Sequence, residues 1–108
     1  DDQIFIKDGD NCWFVKLSEI RLFEAVGKDV KVYFGDNKPM LLRSLNKIEE
    51  RLDEKEFFRV NRKHIVNMTW VEKVDSWFSG GLKLTLKNGE EIEVSRRQSQ
   101  RFRENRSL

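Results

Sequence analysis

Cysteine, histidine and proline each occur once in this 108-residue chain, at Cys12, His64 and Pro39. A lone Cys12 excludes an internal disulfide and fits a reducing cytoplasm. With one histidine and one cysteine far apart in sequence, no coherent set of acid, base and nucleophile can be assembled. There is no Gly-rich phosphate loop, nucleophile elbow or metal-ligand spacing. Metal binding needs at least about three suitable ligands brought together, and no cluster suggests them. Neither an enzyme nor a cofactor is expected. His64 beside two cations has no neighbouring carboxylate to orient it as a general base, so it reads as a polar contact or a half-buried filler. No apolar run approaches the roughly 18–20 residues of a membrane span. The opening Asp1-Asp2-Gln3 is neither a signal peptide nor a natural initiator, which suggests a piece of a longer chain or a processed one.

What the chain does have is charge and short apolar runs. Charged residues make up 37%, well above the usual quarter, while 38% hydrophobic and 11% aromatic residues suffice for one modest core. The charge is unevenly spread. Residues 1–56 hold 10 Lys/Arg against 13 Asp/Glu, a balance of −3, and residues 57–108 hold 11 against 6, a balance of +5. A polyanion would be drawn to the second half.

The dominant pattern is short alternating strands in a single domain over residues 1–108. Ile4 and Ile6, then Cys12 to Leu17, read as two strands across the turn Asp8-Gly9-Asp10-Asn11. Ile20 to Val26 and Val30 to Phe34 follow, joined tightly by Gly27-Lys28-Asp29, and Met40 to Leu42 forms a strand after the turn 35–39. Ser44 to Asp53 reads as the clearest helix, with Ser44 as its cap and Leu45, Ile48 and Leu52 on one face. Val71 to Phe78 and Leu82 to Leu86 flank the hairpin signal Ser79-Gly80-Gly81. Asn88-Gly89 marks a further hairpin into Ile92. The fold class is therefore mainly β, a compact antiparallel arrangement with one clear α-helix and a short C-terminal helix.

Two basic constellations carry the functional signal. Arg59, Arg62, Lys63 and His64 lie within Phe57-Phe58-Arg59-Val60-Asn61-Arg62-Lys63-His64-Ile65-Val66-Asn67. Apolar groups there can anchor the backbone while polar groups reach out of it, as suits a loop held rigidly against an anion. The second constellation follows the last strand. Ser95 with Gln98 forms a capping box, which places Arg96 and Arg97 in the first turn of a helix. That is the wrong end of the helix dipole for cations, by about 0.3–1 kcal/mol each. An approaching phosphate would offset the repulsion, and a guanidinium also fits the O6/N7 edge of guanine. The plainer reading is a solvated face on a frayed helix.

These residues resemble the LytTR DNA-binding domain of bacterial response regulators. The 57–67 stretch resembles its central signature. Ile20-Arg21-Leu22-Phe23-Glu24-Ala25 resembles its early "I-x-x-I/F-E-A" strand, the Leu45–Leu52 helix its "L-x-x-L/I-E-x-x-L" segment, and Glu93-Val94-Ser95-Arg96-Arg97 its closing "V-S-R-R". The resemblance spans about residues 3–104 and implies loops, rather than a recognition helix, entering successive major grooves of double-stranded DNA. Carried over residue by residue, it makes Arg62, Arg97 and Asn61 candidates for base contact and Lys28, Lys63, Ser95 and Arg96 candidates for phosphate contact. Asp29, His64 and Arg59 are further candidates. Asn61 stands where the family commonly has histidine. Asp29 would accept from a cytosine amino group or serve only as a turn residue. The resemblance also implies the output module of a cytoplasmic bacterial transcription regulator, with a receiver domain in the full-length chain and a second copy on an adjacent DNA site.

Phe57, Phe58, Trp70, Trp77 and Phe78 lie in or beside strands and are expected to be buried. Exposed, they would instead suit stacking on unpaired bases. A β-rich protein-interaction module is the competing function class.

Overall fold

The computed structural model describes residues 2–108. Gln3–Asp8 (β1) and Asn11–Lys16 (β2) form an antiparallel hairpin. A five-stranded sheet follows, built from Leu22–Val26 (β3), Asp29–Tyr33 (β4), Met40–Leu41 (β5), Phe57–Asn61 (β6) and His64–Asn67 (β7), in the order β5-β4-β3-β7-β6. Val71–Ser76 (β8), Leu82–Leu86 (β9) and Glu91–Val94 (β10) make a three-stranded sheet in the order β10-β9-β8. Every strand pairing is antiparallel.

The five-stranded sheet is covered on both faces, and its sequence shows why. Leu22-Phe23 on β3 and Ile65-Val66 on β7 are apolar at consecutive positions, so neither side of those strands is wet. Phe23 and Ile65 face one core with Val30, Val32, Phe57 and the helical residues Leu45 and Ile48. Leu22 and Val66 face a second core with Val60, Leu82, Leu84, Leu86 and Ile92. Burying each such side chain fully stabilises the fold by about 1.5–3 kcal/mol. On β9 the alternation of Leu82, Leu84 and Leu86 with Lys83 and Thr85 gives the one-sided burial its spacing predicts.

Both expected helices form, but their lengths reverse the expectation. Leu45–Glu49 (α1) has only five residues and Arg96–Arg106 (α2) has eleven. Ser44 caps α1 by accepting the Lys47 N–H. Past Glu49 the backbone tightens into bonds from Arg51 to Ile48 and from Leu52 to Glu49. Glu49 and Glu50 stand at the negative end of the helix dipole, and the Asp53 side chain takes the Lys55 N–H into a turn. The longer α2 is held by packing: Phe102 meets Phe58 at 5.9 Å between ring centres, and buried Ser99 donates to the Val94 carbonyl.

Strand ends differ from the sequence reading by a residue or two. β3 starts at Leu22, Asp29 already lies in β4, and β8 stops at Ser76. Of the aromatics expected inside, Phe57 is buried, Phe58, Trp70 and Trp77 are half-buried, and Phe78 is 77% exposed. Trp70 and Trp77 need water or polar partners at their ring N–H groups, which donate to the Ser18 carbonyl and the Glu93 carboxylate.

At the N-terminal end of β3, Arg21 is buried. It forms a two-pronged ion pair with Glu90 at 2.7–2.9 Å and donates to the Gly35 carbonyl. Burial pushes the Glu90 carboxyl up, but the hydrogen bonds and charge of Arg21 outweigh it and hold that carboxyl below its usual range. The sequence reading assigned Arg21 no role, and only the partner brought by the fold reveals one.

Candidate nucleic-acid interface

Three turns meet at one edge. The first is Gly27-Lys28 between β3 and β4, where Gly27 takes φ +61°, a conformation open to glycine at the first position of a two-residue hairpin turn. The second is Arg62-Lys63 between β6 and β7. β3 runs toward the first turn while β7 starts from the second, and Glu24 pairs with His64 between them. The Ala25 N–H donates to the Lys63 carbonyl at 2.7 Å, so the two turns are tied at the same end of the sheet.

The third turn is the junction of β10 and α2 at Ser95. A register irregularity between Arg59 and Asn61 leaves Val60 outside the β6–β7 ladder, and the Val60 carbonyl accepts the Ser95 N–H at 2.9 Å. Ser95 accepts the Gln98 N–H as a helix cap. The Gln98 side chain does not close the reciprocal half of the capping box. It reaches across to the Arg59 carbonyl and fastens α2 to β6. The Asn61 Nδ2 group donates to the Glu93 carbonyl at 2.6 Å and adds a third tie.

The candidate residues divide into two groups at this edge. Lys28, Arg62, Lys63, Arg96 and Arg97 are exposed, and among the described residues their side chains have no hydrogen-bonding or ionic partner. Arg62, Ser95 and Arg97 line one open hollow of about 360 Å³, together with Arg101. Arg96, the next residue on α2 and about 100° around its axis, lies beside Gly80 instead. Lys28 sits on the neighbouring turn. The structure thus brings the three predicted turns to one edge.

Arg59, Asn61 and His64 are engaged internally. The Arg59 guanidinium donates to the Asn61 and Arg62 carbonyls at 2.8 and 2.7 Å and to Asn46 and Glu49 of α1 at 2.9 and 2.8 Å. It holds the shape of the second turn and, with Asn61 and the Glu49 carboxylate, lines the same hollow as Arg62 and Arg97. Asn61 Oδ1 accepts the Lys63 N–H at 2.8 Å, and the same oxygen lies 3.0 Å from His64 Nδ1. His64 Nε2 lies 3.1 Å from the Glu24 carboxylate, which also accepts the Tyr33 hydroxyl at 2.6 Å. Burial raises the Glu24 carboxyl, and the hydrogen bonds from Tyr33 and His64 overcome this to leave it lowered. Burial, then the Glu24 partner, pushes the Tyr33 hydroxyl the other way, up. Glu24 is thus the carboxylate near His64 that was invisible in sequence, since it comes from a strand forty positions away. Asp29 is half-buried at the start of β4, opposite Val26. Asn67 closes the motif as a buried support, donating to the Ile20 carbonyl and capping residues 68–70.

Known proteins resemble this chain along most of its length. The family model described as the LytTr DNA-binding domain matches residues 10–107. The sensory transduction protein LytT of Enterococcus faecalis is 26% identical over 107 residues, 99% of this chain and 44% of that protein. LytT of Bacillus subtilis is 33% identical over 67 residues, 62% of this chain and 28% of that protein. The transcriptional regulatory protein LytR of Staphylococcus aureus is 31% identical over 65 residues, 60% of this chain and 26% of that protein. The chain therefore spans less than half the length of these curated relatives. A solved LytTr DNA-binding domain from Bacillus cereus, 24% identical, superposes with a TM-score of 0.90 over 100% of this chain and 99% of its own, which shows a shared fold. With a family match running over nearly the whole sequence, the chain belongs to the LytTr DNA-binding domain family.

Proposed function

We propose that this DNA-binding domain reads double-stranded DNA with its three-turn edge. One observation carries the reading: Lys28, Arg62, Lys63 and Arg97 stand exposed, with no partner among the described residues, on turns fastened to one another through backbone carbonyls, and exposed Arg96 follows on the α2 N-terminus beside Gly80. Fixed positive groups that face water lose little on meeting phosphate and release the counterions of the duplex. Arg62 and Arg97 share a hollow and are assigned to base edges, where a planar guanidinium can engage guanine in two places. Lys28, Lys63 and Arg96 are assigned to phosphates and set the register, with the Ser95 hydroxyl and the α2 N-terminus beside them. Asn61 acts from inside, by shaping the turn that carries Arg62.

Within the longer regulators of the family, this module is the cytoplasmic output of a bacterial transcription regulator. A receiver domain controls it, and a second copy occupies the adjacent site. Fluorescence anisotropy with a labelled random duplex at two salt concentrations tests the first step. Salt-sensitive binding is expected, and salt-insensitive or absent binding would point to a protein-interaction module. Selection of bound duplexes from a random pool then tests sequence preference. Sedimentation of the free domain as a tight dimer would contradict control of pairing by the receiver.

A further inference from the structure

An open groove of about 540 Å³ lies between β1, segment 41–43 and α1, and none of its lining residues belongs to the three turns. Its floor is apolar, built from Leu17, Phe23, Ile48 and Leu52. The α1 side carries Arg43, Lys47 and Arg51, all exposed and with no side-chain partner among the described residues. Lys47 and Arg51, four positions apart, fall on one side of α1 and its tightened last turn. Among the described residues, Asp2 supplies the one carboxylate of the lining, so the groove is cationic. The opposite wall is the outer side of β1. In an antiparallel ladder, alternate residues turn both backbone groups toward the partner strand. The Leu17 N–H donates to the Asp2 carbonyl at 2.9 Å, which puts Ile4 and Ile6 in the bonded set. The N–H and C=O groups of Gln3 and Phe5 therefore point away from β2, on a side where no described strand pairs. The Phe5 ring is 63% exposed beside them.

We propose that this groove docks an extended acidic segment of a partner protein, added as a strand to the free edge of β1. Three features of the groove select that chemistry together. Unpaired backbone groups along a strand edge are met by another extended backbone. An apolar floor beside them accepts the apolar side chains that an extended segment presents at every second position. Carboxylates on the segment reach Arg43, Lys47 and Arg51, which have no carboxylate of their own chain. Nucleic acid satisfies only the last of the three, since phosphate offers no partner to Leu52, Phe23 or the outward N–H groups of β1. A basic peptide satisfies the first two and is repelled by the third. The partner surface is thus separate from the edge assigned to DNA, and the proposal stands without that assignment.

The test titrates the labelled domain with a short blocked peptide of alternating valine and glutamate, followed by amide chemical shifts. Shifts are expected at 3–5, 41–43 and 47–52, and the Gln3 and Phe5 amide protons are expected to gain protection from exchange. The same peptide with lysine in place of glutamate is expected to leave these residues still. A version N-methylated at alternate residues keeps the charges and the side chains but cannot pair with β1, and it is expected not to bind. Lys47→Glu with Arg51→Glu is expected to weaken the acidic peptide by about tenfold or more, because two attractions become repulsions. Both positions are exposed, and an unchanged urea midpoint verifies that the variant is folded. No binding of the acidic peptide up to about 1 mM overturns the proposal, as does equal binding of the lysine or the N-methylated peptide. A random duplex that shifts 43, 47 and 51 as strongly as the peptide does would mark these cations as a phosphate stripe and also overturn it.

Discussion

At one end of strand β3 the Arg21 guanidinium is sealed among Glu90, the Gly35 carbonyl and the Tyr33 ring. At the other end, beyond Gly27, Lys28 stands in water on the turn next to Arg62 and Lys63, with no partner among the described residues. The same charge serves opposite ends because the neighbours differ. Glu90 is delivered to Arg21 by the loop between β9 and β10, across 69 positions of sequence. At the turn edge two nearby carboxylates are engaged by other groups, Glu49 by Arg59 and Glu24 by His64 and Tyr33, while Asp29 follows Lys28 without forming an ion pair with it. The cations closest to water are thus left open, while the one closest to the core is neutralised.

The comparison breaks most visibly at the buried end. Arg21→Met strands Glu90 without its cation and is expected to remove about 3–5 kcal/mol of unfolding free energy, read from urea denaturation. A loss below about 1 kcal/mol would mean that the pair is not a structural tie. At the open edge the contrast should invert. Arg97→Ala is expected to leave the urea midpoint alone and to weaken a selected duplex by about 1–3 kcal/mol, with relaxed preference at one position. A loss that is equal on all sequences would remove the base-reading role.

Arg59 sharpens the boundary between the two behaviours, since it sits at the edge and yet is fully engaged. Arg59→Leu is expected to lower stability by about 1–2 kcal/mol and to weaken all duplexes together, because it frees the turn rather than deleting a contact. Binding unchanged in this variant would show that the turn holds its shape unaided. Next in size is a dependence on acid. Glu24 and Glu90 are both held below their usual range in the folded chain. Their contribution is complete above the unfolded glutamate range and is lost as pH falls through the folded values, so stability should be level near neutrality and decline on acidification. In Arg21→Met the Glu90 share of that decline should vanish, which denaturation at a series of pH values would detect. Smallest is Lys63→Ala, expected to weaken all sequences slightly and to lower the slope of log affinity against log salt by about 1. An unchanged slope would take Lys63 off the phosphate backbone.

Local pattern made much of this legible. The alternation 82–86, the Ser44 cap and the Ser95 start of α2 are signals that act within a few residues, and each appears where the sequence puts it. The three turns were legible as cationic, since their neighbours in sequence are apolar strands. What the sequence hid is long-range partnership. Arg21 reads as a polar residue on a strand until Glu90 arrives, and Arg59 reads as one more free cation until α1 offers Asn46 and Glu49. His64 looked unpartnered because Glu24 and Asn61 reach it only through strand pairing and a bulge. Phe78 misled in the other direction, since the chain leaves the sheet at Ser76 and carries that ring out over Trp77.

The most direct test of the three-turn edge is amide chemical-shift mapping as a selected duplex is titrated into the labelled domain. The largest shifts are expected at 27–29, 61–64 and 95–98, with the β1–β2 hairpin silent. Shifts concentrated on that hairpin, or around Trp77 and Phe78, would contradict the account.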